Sequence, residues 1–527
     1  MTFSWTFPYP SRRMPILARN AVATSQPLAA QAGLQILSRG GNAVDAALAT
    51  AITLTVVEPT SNGIGSDAFA MVWDGKSLYG INGSGRSPAA WSPTHFAGLS
   101  CMPTRGWDSV TIPGAVDVWA SLSRRFGKIP FADLFESAIR YATDGFLVSP
   151  ITAEKWSQAP PIFKDYPNWA STFLPHGRLP LPGEIFRPPG FAKTLRILAD
   201  THGESLYRGE LASLIVSHAQ QNSGAISLDD LAAHHSEWVE PLSLDWHGVT
   251  LHELPPNGQG LTVLVALGIL QHLPIDGLPV DSPDSIHLQI EAMKKAFSAT
   301  IPNIADPPWM RVKPSSLLDK SFLLELARTI RIDRASDPIS ALPSDGGTVY
   351  LTAADQSGMM VSYIQSNYKG FGSGIVIPGT GISLQNRGAG FTLNEKHPNA
   401  VAGRKRPYHT IIPGFVTKEG AALMSFGVMG AHMQAQGHLQ MMLRVFAGGQ
   451  NPQAAADAPR WYLSEDSSLA IEPGFGPSIV NELQRRGHCL SPHAPASLFG
   501  GAQMIYCLPD GYCAASDPRK DGQAVGF

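Results

Sequence analysis

Cysteine is scarce in this chain: the four present are Cys101, Cys489, Cys507 and Cys513, and no two form a CxxC pair. So few cannot frame a disulfide scaffold, and the pattern fits a reducing compartment. Charge is sparse as well. Charged residues are 15% of the composition, the net charge is −3, and no long basic run occurs. The positive patch that nucleic acid or a membrane surface demands is therefore missing. No apolar run approaches a membrane span, and the opening "MTFSWTFPYPSRRMPILARN" has no continuous apolar segment of signal-peptide length. These absences predict a soluble, cytoplasmic protein with neither a nucleic-acid nor a membrane partner. No internal period of solenoid length occurs either.

What is present is core-forming material. Of the 527 residues, 44% are apolar, enough for two to four domain-sized units or one large α/β body with insertions. The stretch "PLAAQAGLQILSRGGNAVDAALATAITLTVV" at 27–57 holds two helical patterns broken by Gly40-Gly41. Asn42 is placed to cap the second, with Asp45 near its positive end. Helical periodicity recurs at 115–125, 191–202, 209–221, 260–272, 283–299, 316–330 and 433–447, and Ser227 caps "SLDDLAAH". Strand patterns cluster later. "TVYLTAAD" and "MMVSYIQS" flank a tight connection and predict a hairpin, followed by "GIVI", "TIIPGFV", "AALMSFGV", "LAIE" and "AQMIYCL". Helices packed on sheets are the expected α/β (α+β) architecture. The proline-rich residues 156 to 195 read as a surface excursion.

The chemistry concentrates on "SDGGTVYLTAAD", 344–355. A threonine after Gly-Gly at the head of a strand is ordinary turn-then-strand grammar. It also suits self-cleavage, in which the Thr348 hydroxyl attacks the Gly347 carbonyl and water opens the resulting ester; Gly346 and Gly347 tolerate the backbone strain of that attack. The freed α-amine would titrate near about 7.7–8.0, where a general base is effective. Thr348 would then hold nucleophile and base together.

The chain resembles the γ-glutamyltranspeptidase family of self-cleaving N-terminal nucleophile hydrolases. The resemblance rests on "GGNAVDAALA" (40–49), "PTSNGIGSDAF" (59–69), "TIPGAVDVW" (111–119), "SGAISLDDLAAH" (223–234), "LPPNGQG" (254–260), the Thr348 hairpin, "GFGSGIV" (370–376), "APRW" (458–461) and "SDPR" (516–519). No single motif is specific; their order is. It implies a four-layer αββα sandwich, no cofactor and no metal. It also implies cleavage between Gly347 and Thr348 into a large subunit, 1–347, and a small one, 348–527, that stay associated. A pair of such heterodimers is compatible with it. The family's nucleophile falls on Thr348, the hydroxyl that orients it on Ser366, and an adjacent asparagine position on Tyr368. The oxyanion donors, consecutive backbone N–H groups, fall on Gly430 and Ala431 in "FGVMGAHMQ".

Departures from the family pattern bear on substrate. The arginine that holds an α-carboxylate in γ-glutamyl enzymes corresponds to Ser84 in "NGSGRSP", with Arg86 two residues on. The acid that binds the α-ammonium falls on Gly390 in "QNRGAGF", and a serine pair falls on His409 and Thr410 in "KRPYHTII". An ammonium in a closed site needs a paired charge, which Gly390 does not supply. Arg86, Arg387, His409 and His432 suit an anionic substrate without an amine. The chain is similar to the oxamate amidohydrolase branch, which implies hydrolysis of a small carboxylate-bearing amide such as oxamate to oxalate and ammonia. Arg86 is the expected carboxylate clamp, since a guanidinium meets a carboxylate bidentately.

Other readings stay open. A γ-glutamyl hydrolase or transpeptidase, or an acyl side-chain amidase, is the runner-up. A metal-dependent amidase using His409, His432 and His438 is disfavoured because there is no HExxH and a six-residue spacing splits His432 and His438 between helix faces. "GIGSDA" at 63–68 partly matches a dinucleotide fingerprint but lacks the preceding strand. An uncleaved binding protein is the non-enzyme alternative.

Overall fold

Strand alternation builds the centre of the molecule. In the strand Gly347–Ala354, Val349, Leu351 and Ala353 join one apolar core while Tyr350 and Ala354 join another, as successive side chains of a strand must. The first core lies against helices; the second lies between two sheets. The computed structural model describes residues 12–337, 347–464, 466–491 and 494–527. Gly346, half of the expected Gly-Gly lead-in, lies outside them.

Both main sheets are seven-stranded, with antiparallel pairing throughout. One runs Gln523–Gly526, Ala21–Thr24, Gly347–Ala354, Met360–Tyr368, Asp67–Trp73, Leu78–Asn82, Glu237–Val239. The other runs Ile16–Ala18, Gly511–Ser516, Gly501–Leu508, Ala421–Met429, Gly414–Lys418, Val249–Glu253, Leu242–Trp246. Phe69, Met71, Tyr350 and Ile364 of the first meet Phe415, Met429 and Ile505 of the second.

Outside the first sheet lies the helix Ala43–Val57, every residue of which is buried; a helix apolar all round belongs in a core. Outside the second lies Gly260–Leu270, equally buried, with Pro283–Thr300 and Met433–Met442 in the same core. Helix, sheet, sheet, helix is the four-layer αββα arrangement. The predicted helices form, except that 316–330 is split at Leu318-Asp319 into Pro314–Leu317 and Lys320–Arg328; Asn42 with Asp45, and Ser227 with Asp230, make reciprocal capping boxes.

Three local expectations need correction. "GIVI" is not a strand; only an isolated bridge between Val376 and Ser383 survives, because Gly372, Gly374, Gly379 and Gly381 turn the chain at positive φ. In "TIIPGFV" pairing starts only at Gly414, after Pro413, which has no N–H to give a ladder. The proline-rich stretch is no surface excursion. Its prolines open the short helices Pro160–Phe163 and Pro167–Phe173, a position proline tolerates. Trp156, Phe163, Trp169 and Phe173 then pack around Phe371, which shares a cavity with Thr348.

Candidate active site

The hairpin pairs Ala354 with Met360 and runs back to Gly347 opposite Tyr368, with a register shift between Gly347 and Val349. Across that shift Gly347 and Val349 face Tyr368 and Gln365, so Ser366 and Asn367 together oppose the single residue Thr348. A bulge of this kind re-aims a side chain. Here it brings Ser366 Oγ to 3.2 Å from Thr348 Oγ1. Both residues are buried.

Ser366 Oγ accepts the Tyr368 N–H at 2.8 Å and Arg387 Nη2–H at 2.9 Å, and stands 2.7 Å from the carbonyl oxygen of Gly347. A hydroxyl has two lone pairs and one proton. With both lone pairs taken, the proton points at the Gly347 carbonyl, the one Thr348 must attack in self-cleavage. Arg387 also donates from Nη1 to Thr410 Oγ1 at 2.7 Å and lies over the Tyr368 ring, 4.4 Å from its centroid. The cation is fully enclosed, and burial lowers it to about 10, against the nearby Asp67 charge.

Behind this pair, Asp67 Oδ1 accepts from the Gly85 and Gly114 amides, while His409 Nε2–H donates to Oδ2 at 3.1 Å. Burial raises Asp67 to about 7, opposed by the Arg387 charge and those amides. His409 is held neutral, pushed well below its usual range by burial and by Arg387. His432 is buried and stacked near Tyr408, and among the described residues neither ring nitrogen has a partner. Burial and the Lys369 and Arg387 charges lower it to about 3.

Gly430 (φ +118°) and Ala431 (φ +48°) turn the chain between the strand Ala421–Met429 and the helix Met433–Met442. Ala431 takes a left-handed conformation that costs a residue with Cβ roughly 1–2 kcal/mol. Of the two, Gly430 lines the cavity that holds Thr348.

That cavity, of about 450 Å³, is lined by Gly347, Thr348 and Gly430. Its other walls were not foreseen. Ile162, Phe163, Phe371 and Leu498 supply apolar surface, and Arg105, Lys155, Lys369 and Lys520 supply charge, with no carboxylate among the described lining residues. The three lysines and Arg105 sit in no recognisable motif, so the only available signal was a surplus of cations around the expected nucleophile once folded.

The structure gathers Ser366, Tyr368, Arg387, His409 and Thr410 behind Thr348, but it does not bring Arg86 there. Arg86 donates to Glu237 at 2.8 Å and Asp306 at 3.1 Å, and it is not among the cavity's lining residues. Its partners lie far along the chain, so no local spacing could have revealed the engagement. His409, His432 and His438 do not converge on one ion: His438 pairs with Glu253 at 2.7 Å, apart from the other two environments. Among the described residues, the group spaced to hold a metal is His287, Glu291 and His488, none of which lines the cavity.

A family model described as Gamma-glutamyltranspeptidase matches residues 29–527. The chain is 35% identical to the Glutathione hydrolase-like YwrD proenzyme of Bacillus subtilis, over 97% of this chain and 98% of that protein. It is also 35% identical to the Oxamate amidohydrolase proenzyme of Klebsiella pneumoniae, over 95% and 97%. Among solved structures, the cephalosporin acylase from Bacillus halodurans superposes with a TM-score of 0.95 at 46% identity, covering 100% of this chain and 99% of that one.

Proposed function

The chain belongs to the gamma-glutamyltranspeptidase family, and from that premise we propose that it is a self-cleaving N-terminal threonine amidohydrolase acting on carboxylate-bearing amides. One observation carries the reading: the Thr348–Ser366 pair opens into a cavity whose described lining residues include four cations and no carboxylate. An anionic substrate is welcome there, and among the described lining residues an ammonium group meets no carboxylate.

In the precursor, Ser366 O–H polarises the Gly347 carbonyl while Thr348 Oγ1 adds to its carbon. The C–N bond breaks, the proton passes to the departing amine, and the acyl group is left as an ester on Thr348. Water hydrolyses that ester, freeing the Gly347 carboxylate and the Thr348 α-amine. In turnover the same hydroxyl attacks the substrate amide, and the α-amine takes its proton and delivers it to the leaving nitrogen. Water then releases the acid from the ester. The Gly430 and Ala431 amides are the donors for the oxyanion, a contribution worth about 10²–10³ in rate per donor. Arg387 and Tyr368 hold Ser366, with Thr410 and His409 behind them. His432, neutral and stacked near Tyr408, fills the space beside Ala431.

Oxamate is the smallest substrate of this class and the first to test; the similarity to an oxamate amidohydrolase supports it. A larger acyl side-chain amide is the second reading. It is favoured by the cavity's 450 Å³, within the roughly 300–1,000 Å³ of pockets for larger ligands, and by the likeness to an acylase. The test is intact mass of the purified protein, then ammonia release from oxamate and glutamine side by side. Two fragments meeting at Gly347/Thr348, and release from oxamate alone, are expected. Thr348→Ala should abolish both cleavage and release, because one hydroxyl serves both. Cleavage persisting in that variant would remove Thr348 from the mechanism.

A further inference from the structure

Positive charge gathered without counter-charge is costly to fold around, so its position is informative. Lys520 is 6% exposed, and among the described residues no carboxylate lies within ion-pair distance of its ammonium. Its close neighbour is another cation, Lys155. Lys155 has a carboxylate, Glu58, at 3.5 Å, but Glu58 also accepts the Ser25 hydroxyl at 2.5 Å and does not line the cavity. Arg105 lies over Phe163, 5.1 Å from the ring centroid, and among the described residues it donates to the carbonyl of its neighbour Thr104, with Nε buried and unpartnered. These three side chains come from separate parts of the chain: a loop, the helix Pro150–Ser157 and the C-terminal "DPRKDG". They converge on the wall of the cavity that holds Thr348.

We propose that Arg105, Lys155 and Lys520 form a carboxylate-binding subsite, selecting amides whose acyl group ends in a carboxylate set some carbons away from the scissile carbonyl. Its catalytic role rests on the amidohydrolase reading; its existence does not. The cations beside Ser366 are separate, since Arg387 is already committed to Ser366, Thr410 and the Tyr368 ring. A guanidinium and two ammonium groups supply more donors than a carboxylate has lone pairs, so the subsite can grip it from several sides. The apolar walls, Ile162, Phe163, Phe371 and Leu498, suit the methylene chain between the two ends.

Burial, and then Lys155, lower Lys520 to about 7, with Glu58 and Asp517 opposing. Arg105, Lys155 and Lys369 are the other charged groups lining the cavity. Lys520 is thus charged below about pH 7 and increasingly neutral above it. Anion binding should tighten as pH falls through that value and should draw in a proton near neutrality.

The test is calorimetric titration of the purified protein with oxalate, succinate and glutarate, in two buffers of different ionisation enthalpy. Wild type should bind the longer dianions with proton uptake near pH 7. Lys520→Met and Lys155→Met should each weaken binding about tenfold or more, and Lys155→Arg should retain it. Glutaramate hydrolysis should fall with them, chiefly through KM. Unchanged dianion affinity in both Met variants, or no dianion binding by a protein that hydrolyses amides, overturns the subsite. Dianion binding that the Met variants weaken, in a protein that hydrolyses no amide, would uphold the subsite and sink the amidohydrolase reading.

Discussion

Ser366 illustrates how one hydroxyl serves two bonds in turn. While Gly347 is attached, the Ser366 proton is committed to its carbonyl at 2.7 Å. With Gly347 cut away, as proposed, the described acceptor left to that proton would be Thr348 Oγ1, 3.2 Å away. Arg387 makes the proton more readily shared by feeding positive charge to the Ser366 oxygen at 2.9 Å. Ser366→Ala should therefore slow self-cleavage by about 10²–10³, the usual cost of one oxyanion donor, read from a time course of fragment appearance. Arg387→Lys should also slow it, because an ammonium is a point donor and cannot span Ser366 and Thr410 as the planar fork does. Cleavage of Ser366→Ala at the wild-type rate would mean that the bond to Gly347 is incidental. At this scale the sequence exposed Thr348 and Ser366, whose places follow from adjacency and strand order. It hid Arg86's engagement with Glu237 and Asp306, and the convergence of Arg105, Lys155 and Lys520, since those depend on packing between segments hundreds of residues apart.

The hairpin that carries Thr348 packs its apolar side chains on the helix beneath it, and one polar side chain adds a hydrogen-bonded tie. Asp355 Oδ2 accepts the Ala43 N–H at 2.7 Å, at the start of the helix Ala43–Val57, while Oδ1 accepts the Ser357 N–H at 2.8 Å in the turn. A carboxylate at a helix N-terminus satisfies an orphan amide and meets the positive end of the dipole. Asp355→Ala should cost about 1–2 kcal/mol, seen as a lower denaturation midpoint. Asp355→Asn, which keeps the acceptor, should cost less; equal losses would show that the acceptor oxygen is not what matters. Long, largely apolar helices such as Ala43–Val57 and Gly260–Leu270 were legible from their length and the breaks that bound them. "GIVI" and the proline-rich stretch were not. Glycine conformation at 372–381 decides the first, and aromatic packing on Phe371 decides the second.

Across the whole molecule, cleavage at Gly347 would divide neither sheet cleanly. The first sheet takes Ala21–Thr24, Asp67–Trp73, Leu78–Asn82 and Glu237–Val239 from before the cleavage point, and Thr348 onward supplies its remaining strands. The strand of Thr348 lies between Ala21–Thr24 on one side and Met360–Tyr368 on the other, so it hydrogen-bonds to both pieces. The second sheet is mixed in the same way, with Val249–Glu253 from the first piece paired to Gly414–Lys418 of the second. The core between the sheets likewise draws Phe69 and Met71 from one piece and Phe415 and Ile505 from the other. Each apolar core among the described residues draws on both pieces, so separation would expose apolar surface at about 25 cal/mol per Å². The cleaved protein should accordingly elute as one particle in native buffer and lose both pieces' structure in a single cooperative transition, with coincident near- and far-ultraviolet circular dichroism. Two transitions, or free small fragment eluting without denaturant, would mean that the pieces fold apart and that the shared sheets do not hold them together.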